Sequence, residues 1–337
     1  MGNVLRASCT SRVVPLYTAA VLSALAASSS GQEDVRRLTR PRLGALEAMS
    51  SFESAFYFDQ DVGGQSSHMR FAEHRFAALV PIAQDEREEL SLSASFDALD
   101  FDTDAILPDT YGIFPDHLWD VRVGGTYRRA LANGWIAGGH VSVGSPSDRP
   151  FAGADEVLVT ATGLTRIPHG ERGAWLLMLH YANARDWLPH VPLPGVAYEY
   201  RANDELLATL GVPFSSIRYS PIPALTFEGS YVLPRRVNTR VTYAVEERIK
   251  LYAGFDWTSR SYFRHGRDDD DDRLTYYQKR VEAGVRMDIT DKLRLDVTGG
   301  FAFDRFWFEG EDYSDRGDNR LDIGDGPFVA ASVRLSF

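Results

Sequence analysis

Cysteine is almost absent from this chain of 337 residues. The single cysteine, Cys9, lies upstream of the only extended apolar segment, so it cannot serve as a lipoprotein anchor. No residue after position 9 is a cysteine. That long region therefore cannot form a disulfide, a thiol nucleophile or a thiolate metal site.

Long hydrophobic runs are also missing. The longest, residues 13–27, contains Pro15, Thr18 and Ser23 and is too short for a good membrane-spanning helix. Arg6 and Arg12 precede it, and small alanine and serine residues follow it. This order is typical of a cleavable secretory signal, which we assign to residues 1–30. The alternative is a buried N-terminal helix of a cytosolic protein.

An excess of positive charge is lacking as well. The sequence has 36 basic and 47 acidic residues, and loss of Arg6 and Arg12 with the signal leaves 34 basic residues and a net charge of −13. This balance argues against nucleic acid as a partner, which needs a basic surface. No glycine-rich phosphate loop or nucleotide motif is present, so we expect no cofactor.

What the sequence does contain is strict alternation, clearest at residues 329–337. Val329, Ala331, Val333, Leu335 and Phe337 share one side of a predicted strand, and the residues between them are small or polar. Such an apolar wall suits a barrel in lipid. The ending resembles the last strand of bacterial outer-membrane proteins. That resemblance implies an assembly signal at Val333, Leu335 and Phe337, read by the barrel-assembly machinery.

The alternation extends over most of the chain and predicts an all-β fold, a transmembrane antiparallel up-and-down β-barrel. We expect a polar periplasmic leader at residues 31–49 and one barrel at residues 50–337. Short turns such as 246–248 and 290–292 alternate with long polar links such as 265–273 and 310–320. We predict about 14 strands, within a range of about 12 to 16. The regions 71–81 and 205–223 are ambiguous, because alternation slips in one and prolines interrupt the other.

This organisation resembles an uncharacterised, porin-like family of bacterial outer-membrane barrels. The most distinctive stretches are 193–200 (LPGVAYEY) and 210–214 (LGVPF). The resemblance implies a location in the cell outer membrane, and it supplies no catalytic residues.

If the apolar stripes face lipid, charged residues of both signs line the interior. The predicted lumen-lining residues are Glu228, Arg240, Lys250, Arg280, Glu282, Arg286, Arg294, Asp296 and Arg334. One interpretation is a wetted channel with a transverse field. The other is an interior closed by ion pairs, as in small barrels.

Enzymatic and metal sites have little support. His140 and Ser142 alternate on one predicted strand, but no flanking motif indicates a catalytic triad, so we do not expect an enzyme. The acidic run that includes Asp268, Asp270 and Asp272 offers weak candidates for a Ca²⁺ or Mg²⁺ site. It lacks the ligand spacing and turn glycine of a dedicated loop, and we interpret it as a solvated loop.

The sequence thus supports an outer-membrane barrel that lets small polar solutes diffuse. One alternative is a closed structural or interaction barrel that presents its exterior loops, and another is a secreted soluble all-β protein. Outer-membrane lipid is an expected partner. The sequence leaves open whether the barrel forms a homo-oligomer.

Overall fold

The computed structural model describes residue 39 and residues 42–108, 112–184, 190–233, 235–267, 269–311, 313–317 and 319–337. The predicted signal at residues 1–30, most of the leader and Asp268 lie outside this part of the chain. Within it, no helix has the length and apolar character needed to cross a membrane.

Seventeen strands and two short 3-10 helices, Ala154–Glu156 and Tyr313–Gly317, make up the described secondary structure. The strands are β1 (Met49–Asp61), β2 (His68–Gln84), β3 (Glu88–Thr103), β4 (His117–Ala130), β5 (Ile136–Ser147), β6 (Leu158–His169), β7 (Gly173–Ala182), β8 (Leu193–Arg201), β9 (Leu206–Val212), β10 (Phe214–Ile222), β11 (Leu225–Val232), β12 (Arg236–Ala244), β13 (Ile249–Tyr262), β14 (Arg273–Asp288), β15 (Leu293–Gly310), β16 (Arg320–Ile323) and β17 (Gly326–Ser336).

Sixteen of these strands form a closed antiparallel ring. Each of β1 to β15 pairs with the next, and β17 joins β15 to β1. The short β16 lies at the loop end in line with β17: it pairs with the end of β15 on one side, and its Ile323 bridges to Val62, just after β1, on the other. The all-β barrel predicted from the sequence is therefore confirmed. The predicted count of about 14 is two strands too low, although 16 lies at the upper limit of the predicted range.

The undercount arises where the links between strands are shortest. Pro213 alone separates β9 from β10, and only residues 223–224 separate β10 from β11. Pro221 lies inside β10 at an irregularity between Tyr219 and Ile222, where the ladder to β11 shifts. A proline is tolerated there because no ladder hydrogen bond is required of its nitrogen. The segment therefore contains two complete strands despite its three prolines.

The start of β1 and the end of β17 lie at one end of the barrel, because Met49 pairs with Ser336. We call this the terminal end. The predicted tight turns at 246–248 and 290–292 are also there. The longer links lie at the opposite end, which we call the loop end. They include residues 104–116, 263–272 and 311–325.

Outward-facing positions are apolar and exposed around the ring. Examples are Val123, Val141, Leu177, Leu210 and Phe301. Inward positions on the same strands carry most of the polar and charged groups. A closed ring leaves no unpaired strand edge, so this exterior suits hydrocarbon, where every backbone polar group needs an internal partner.

Candidate functional site: the interior of the barrel

Two strands on opposite sides of the ring are joined across the loop end. From β5 to β13 there are eight steps around the ring of sixteen in either direction. Residues 146–148, at and just after the end of β5, nevertheless meet Phe263, just after β13. The Phe263 amide donates to the Pro146 carbonyl at 2.7 Å, and the Asp148 amide donates to the Phe263 carbonyl at 3.3 Å. A parallel bridge between Ser147 and Phe263 completes this contact, which we call the strap.

Side chains reinforce the strap. Glu156 is buried, and its carboxylate accepts a hydrogen bond from Ser147 Oγ at 3.1 Å. Its other oxygen lies 3.2 Å from His265 Nδ1. The His265 amide donates to Asp148 Oδ1 at 2.7 Å. The link after β5 and the link after β13 are thus hydrogen-bonded to each other across the mouth of the barrel. This contact divides the mouth into two parts.

The strap separates two parts of the interior. The first lobe is enclosed by β13, β14, β15, β17 and β1 to β5, and the second lobe is enclosed by β5 to β13. A ring of sixteen strands is wide enough for an aqueous channel unless something fills it. The two lobes differ in how far they are filled.

The loop-end half of the first lobe is a packed aromatic core. Trp307 is fully buried and stacks on Tyr276 at 4.6 Å between ring centroids. Phe114, from the link between β3 and β4, contacts Trp307 edge-on at 5.2 Å. Leu321 and Ile323 of β16 enter the same cluster. These two links fold over the first lobe and close it.

Below the aromatic core lies a network of charges that crosses the lumen. Glu73 on β2 forms ion pairs with Arg75 on its own strand and with Arg260 on β13. Strands β2 and β13 are five steps apart in the ring, so the Glu73–Arg260 pair spans the interior. Arg75 also lies 3.5 Å from Glu53. The middle of the first lobe is therefore closed by buried ion pairs.

All nine predicted lumen-lining residues lie on the inward side of the barrel wall, and most of them are paired. Their ion pairs include Arg240–Glu282 at 2.8 Å, Arg286–Asp296 at 3.0 Å, Lys250–Asp288 at 3.0 Å, Arg294–Asp288 at 2.6 Å and Arg280–Glu282 at 3.6 Å. Glu228 lies directly opposite Arg240 in the β11–β12 register. Their role in lining a channel stays a prediction.

Six of these nine residues surround one cavity in the terminal half of the barrel, five of them on strands of the first lobe and Arg240 on β12 beside it. They are Arg240, Arg280, Glu282, Arg286, Asp296 and Arg334. Ser51 and Glu53 of β1 complete the opposite wall of the cavity. The sequence pattern therefore identified a set of residues that the fold brings together.

The second lobe is more accessible along β10 to β12. Ser216, Arg218, Thr226 and Asn238 face inward there and remain half-exposed, as does Glu228. Only the opposite side of this lobe is packed. A small apolar cluster on β6 to β8 is covered by Phe214, the first residue of β10. The inner faces of β10 to β12 are therefore more exposed than the aromatic core of the first lobe.

Sequence reasoning did not identify Glu73, Arg75 and Arg260 as interior residues. Glu73 and Arg75 lie in the segment where the apolar alternation slips, so their orientation was ambiguous. Arg260 lies two residues beyond the inward pair Asp256 and Thr258. Because alternate residues of a strand face the same side, continuing the inward series from Thr258 by two residues would have identified Arg260.

His140 and Ser142 face inward but do not form a catalytic pair. His140 Nδ1 lies 2.9 Å from Thr126 Oγ1, and Ser142 Oγ lies 2.7 Å from Thr160 Oγ1. Each residue thus bonds to a neighbouring strand. Both side chains are buried.

The other predicted sites lie at the surface. Val333, Leu335 and Phe337 face outward and are exposed, and the Phe337 amide donates to the Ala48 carbonyl at 2.8 Å. In the acidic loop, Asp270 and Asp272 lie within the described residues and Asp268 does not. Over the described ranges, no three histidine, cysteine or acidic side chains converge as a metal site would require.

Comparisons with known proteins concern the architecture alone. No protein-family model matches the chain, and no curated protein matches it significantly. Among solved structures, an outer-membrane channel from Pseudomonas putida F1 is similar at 14% identity and a TM-score of 0.38, over 89% of this chain and 98% of that one. A mutant of the TodX monoaromatic hydrocarbon channel is similar at 8% identity and a TM-score of 0.37, over 88% and 90%.

The β domain of the Bordetella autotransporter BrkA is similar at 12% identity and a TM-score of 0.32, over 86% of this chain and 99% of that domain. The names of these proteins describe two channels and part of an autotransporter. A barrel hosts many functions, so we carry no activity from them to this chain.

Proposed function

We propose that this chain is an outer-membrane barrel through which small polar solutes diffuse passively, by a passage confined to the second lobe. The observation that carries the proposal is the contrast between the lobes. Inward side chains of β10 to β12 keep contact with solvent, whereas Tyr57, Phe71, Tyr276 and Trp307 in the first lobe have 1% exposure or less.

The location in the outer membrane rests on the exterior of the barrel. The exposed large apolar side chains on the outside of the wall range from 37% to 68% exposure, and in water they would form an extensive aggregation-prone surface. Lipid removes that cost, which disfavours the secreted soluble alternative. We propose that the loop end faces the exterior, the terminal end faces the periplasm and β17 is the strand read by the assembly machinery.

We also propose that the chain is not an enzyme. Supporting this, the inward histidine and serine candidates are buried and bonded to threonines of adjacent strands. Neither is positioned to activate a substrate.

Single cysteines test the position of the passage, because the chain after position 9 contains none. We expect Thr226→Cys and Glu228→Cys barrels in planar bilayers to lose conductance when a bulky cationic thiol reagent is added. Gln278→Cys, inward-facing on β14 in the first lobe and 0% exposed, is the matched control and should not respond. A folded, heat-modifiable barrel without conductance would overturn the passage.

A closed interaction barrel is the second candidate, and the strap favours it. Links from opposite walls meet over the mouth and form a continuous exterior surface. Deletion of residues 266–272 would then abolish partner binding and leave permeability unchanged. If the deletion instead raises conductance, the strap restricts a passage and this candidate fails.

A further inference from the structure

Unsatisfied hydrogen-bond donors are concentrated where the two lobes meet. Five guanidinium nitrogens there make no hydrogen bond, namely Nε and Nη1 of Arg75, Nε of Arg236, and Nε and Nη2 of Arg260, although Arg75 Nη1 lies 3.5 Å from Glu53 Oε1. The Thr258 hydroxyl is also unpartnered. A buried donor without an acceptor is costly, and this concentration of such donors indicates that an acceptor is missing.

The strand register brings these groups together. Val237 on β12 pairs with Trp257 on β13, which places Arg236 opposite Thr258. Thr258 and Arg260 are two residues apart on the inward face of β13, about 7 Å along the strand. Arg260 reaches across the lumen to Glu73, which also binds Arg75. Arg236 lies within electrostatic reach of both Arg260 and Arg75.

The missing acceptor is better matched by an anion than by water. Nearby carboxylates already balance the arginines, since Glu73, Asp97 and Asp256 are all within reach. Glu73 Oε2 is a buried carboxylate oxygen without a donor, and it could satisfy only a minority of the unpartnered donors. Each water would bring two hydrogens that need acceptors of their own. An oxyanion supplies several acceptor oxygens with few or no hydrogens.

We propose that Arg75, Arg236, Arg260 and Thr258 bind a small oxyanion of the phosphate type inside the barrel. The guanidinium groups present forked donors that suit tetrahedral oxygens. Monohydrogen phosphate also carries one O–H, which can donate to Glu73 Oε2, whereas sulfate has none. Arg236 is half-buried at the side of the second lobe, so the anion enters from there.

The proposal deepens the proposed function by naming a solute class for the passage, but binding is measured without transport. The experiment is calorimetric titration of the refolded barrel in detergent with inorganic phosphate at constant ionic strength, with sulfate in parallel. We expect saturable phosphate binding, weaker sulfate binding, and at least tenfold weaker phosphate binding in Arg236→Gln. Thr258→Val should weaken binding less.

Arg286→Gln is the control, because Arg286 is inward-facing but bonded to Asp296 at 3.0 Å outside this cluster. It should bind phosphate as the parent barrel does. Absence of binding by a heat-modifiable barrel, or equal binding by Arg236→Gln, would overturn the site. Binding without conductance would overturn the passage and leave the site standing.

Discussion

The ion pair between Glu73 and Arg260 closes the first lobe across its middle, and a double-mutant cycle can measure it. Both side chains are nearly fully buried. Removing one partner leaves an uncompensated buried charge, which costs about 3–5 kcal/mol. We expect Glu73→Gln and Arg260→Gln each to lower the free energy of unfolding by about that amount. The double variant should lose much less free energy of unfolding than the two single variants lose in sum. The difference is the coupling between the two side chains, which we expect to be at least about 2 kcal/mol.

Urea unfolding of barrels refolded into lipid vesicles, followed by tryptophan fluorescence, gives the four free energies. Arg70 and Asp102 provide a matched control on β2 and β3, with Arg70 Nε 2.7 Å from Asp102 Oδ2. Their side chains are 55% and 67% exposed, so their coupling should stay below about 1 kcal/mol. If Glu73 and Arg260 are as weakly coupled as this pair, water fills the first lobe and the reasoning is refuted.

Three further predictions concern the core, the strap and the last strand. Trp307→Ala should destabilise the barrel by about 3–5 kcal/mol in the same urea assay, since it removes a fully buried ring, whereas the half-exposed Trp175→Ala should cost much less. Glu156→Ala removes the buried acceptor of Ser147 and His265, and we expect longer or larger openings in single-channel records; unchanged records would mean that the strap does not restrict the passage. Phe337→Ala should reduce the heat-modifiable fraction in envelopes without changing the unfolding midpoint of refolded protein, and an equal loss in both measurements would mean a purely structural role.

Period-two alternation was sufficient for the fold because the barrel wall is built one strand at a time. On β17, Val329, Val333 and Leu335 were assigned outward, and the structure places them there. β6 gave no clear apolar stripe, because its outward positions include Gly163 and Thr165. Alternation does not reveal a strand whose outward positions hold small or polar side chains, because no apolar stripe is then visible in the sequence.

The interior was predictable only in part, for a physical reason. Cross-strand neighbours such as Arg286 and Asp296 follow from register, which alternation and turn positions constrain. The Glu73–Arg260 pair joins residues 187 positions apart, and it depends on which parts of the barrel wall approach each other across the lumen. So does the strap. Contacts across a lumen leave no periodic signal in either strand.

The wall of this barrel has unequal height. β14 and β15 contain 16 and 18 residues, whereas β9 to β12 contain seven to nine. At a rise of about 3.4 Å per residue and a tilt of about 45°, the shorter strands span about 17 to 22 Å of membrane depth. The apolar band of such barrels is about 25 Å tall. On that side the bilayer must thin or the barrel must tilt, and lipids with shorter acyl chains should collect beside β9 to β12.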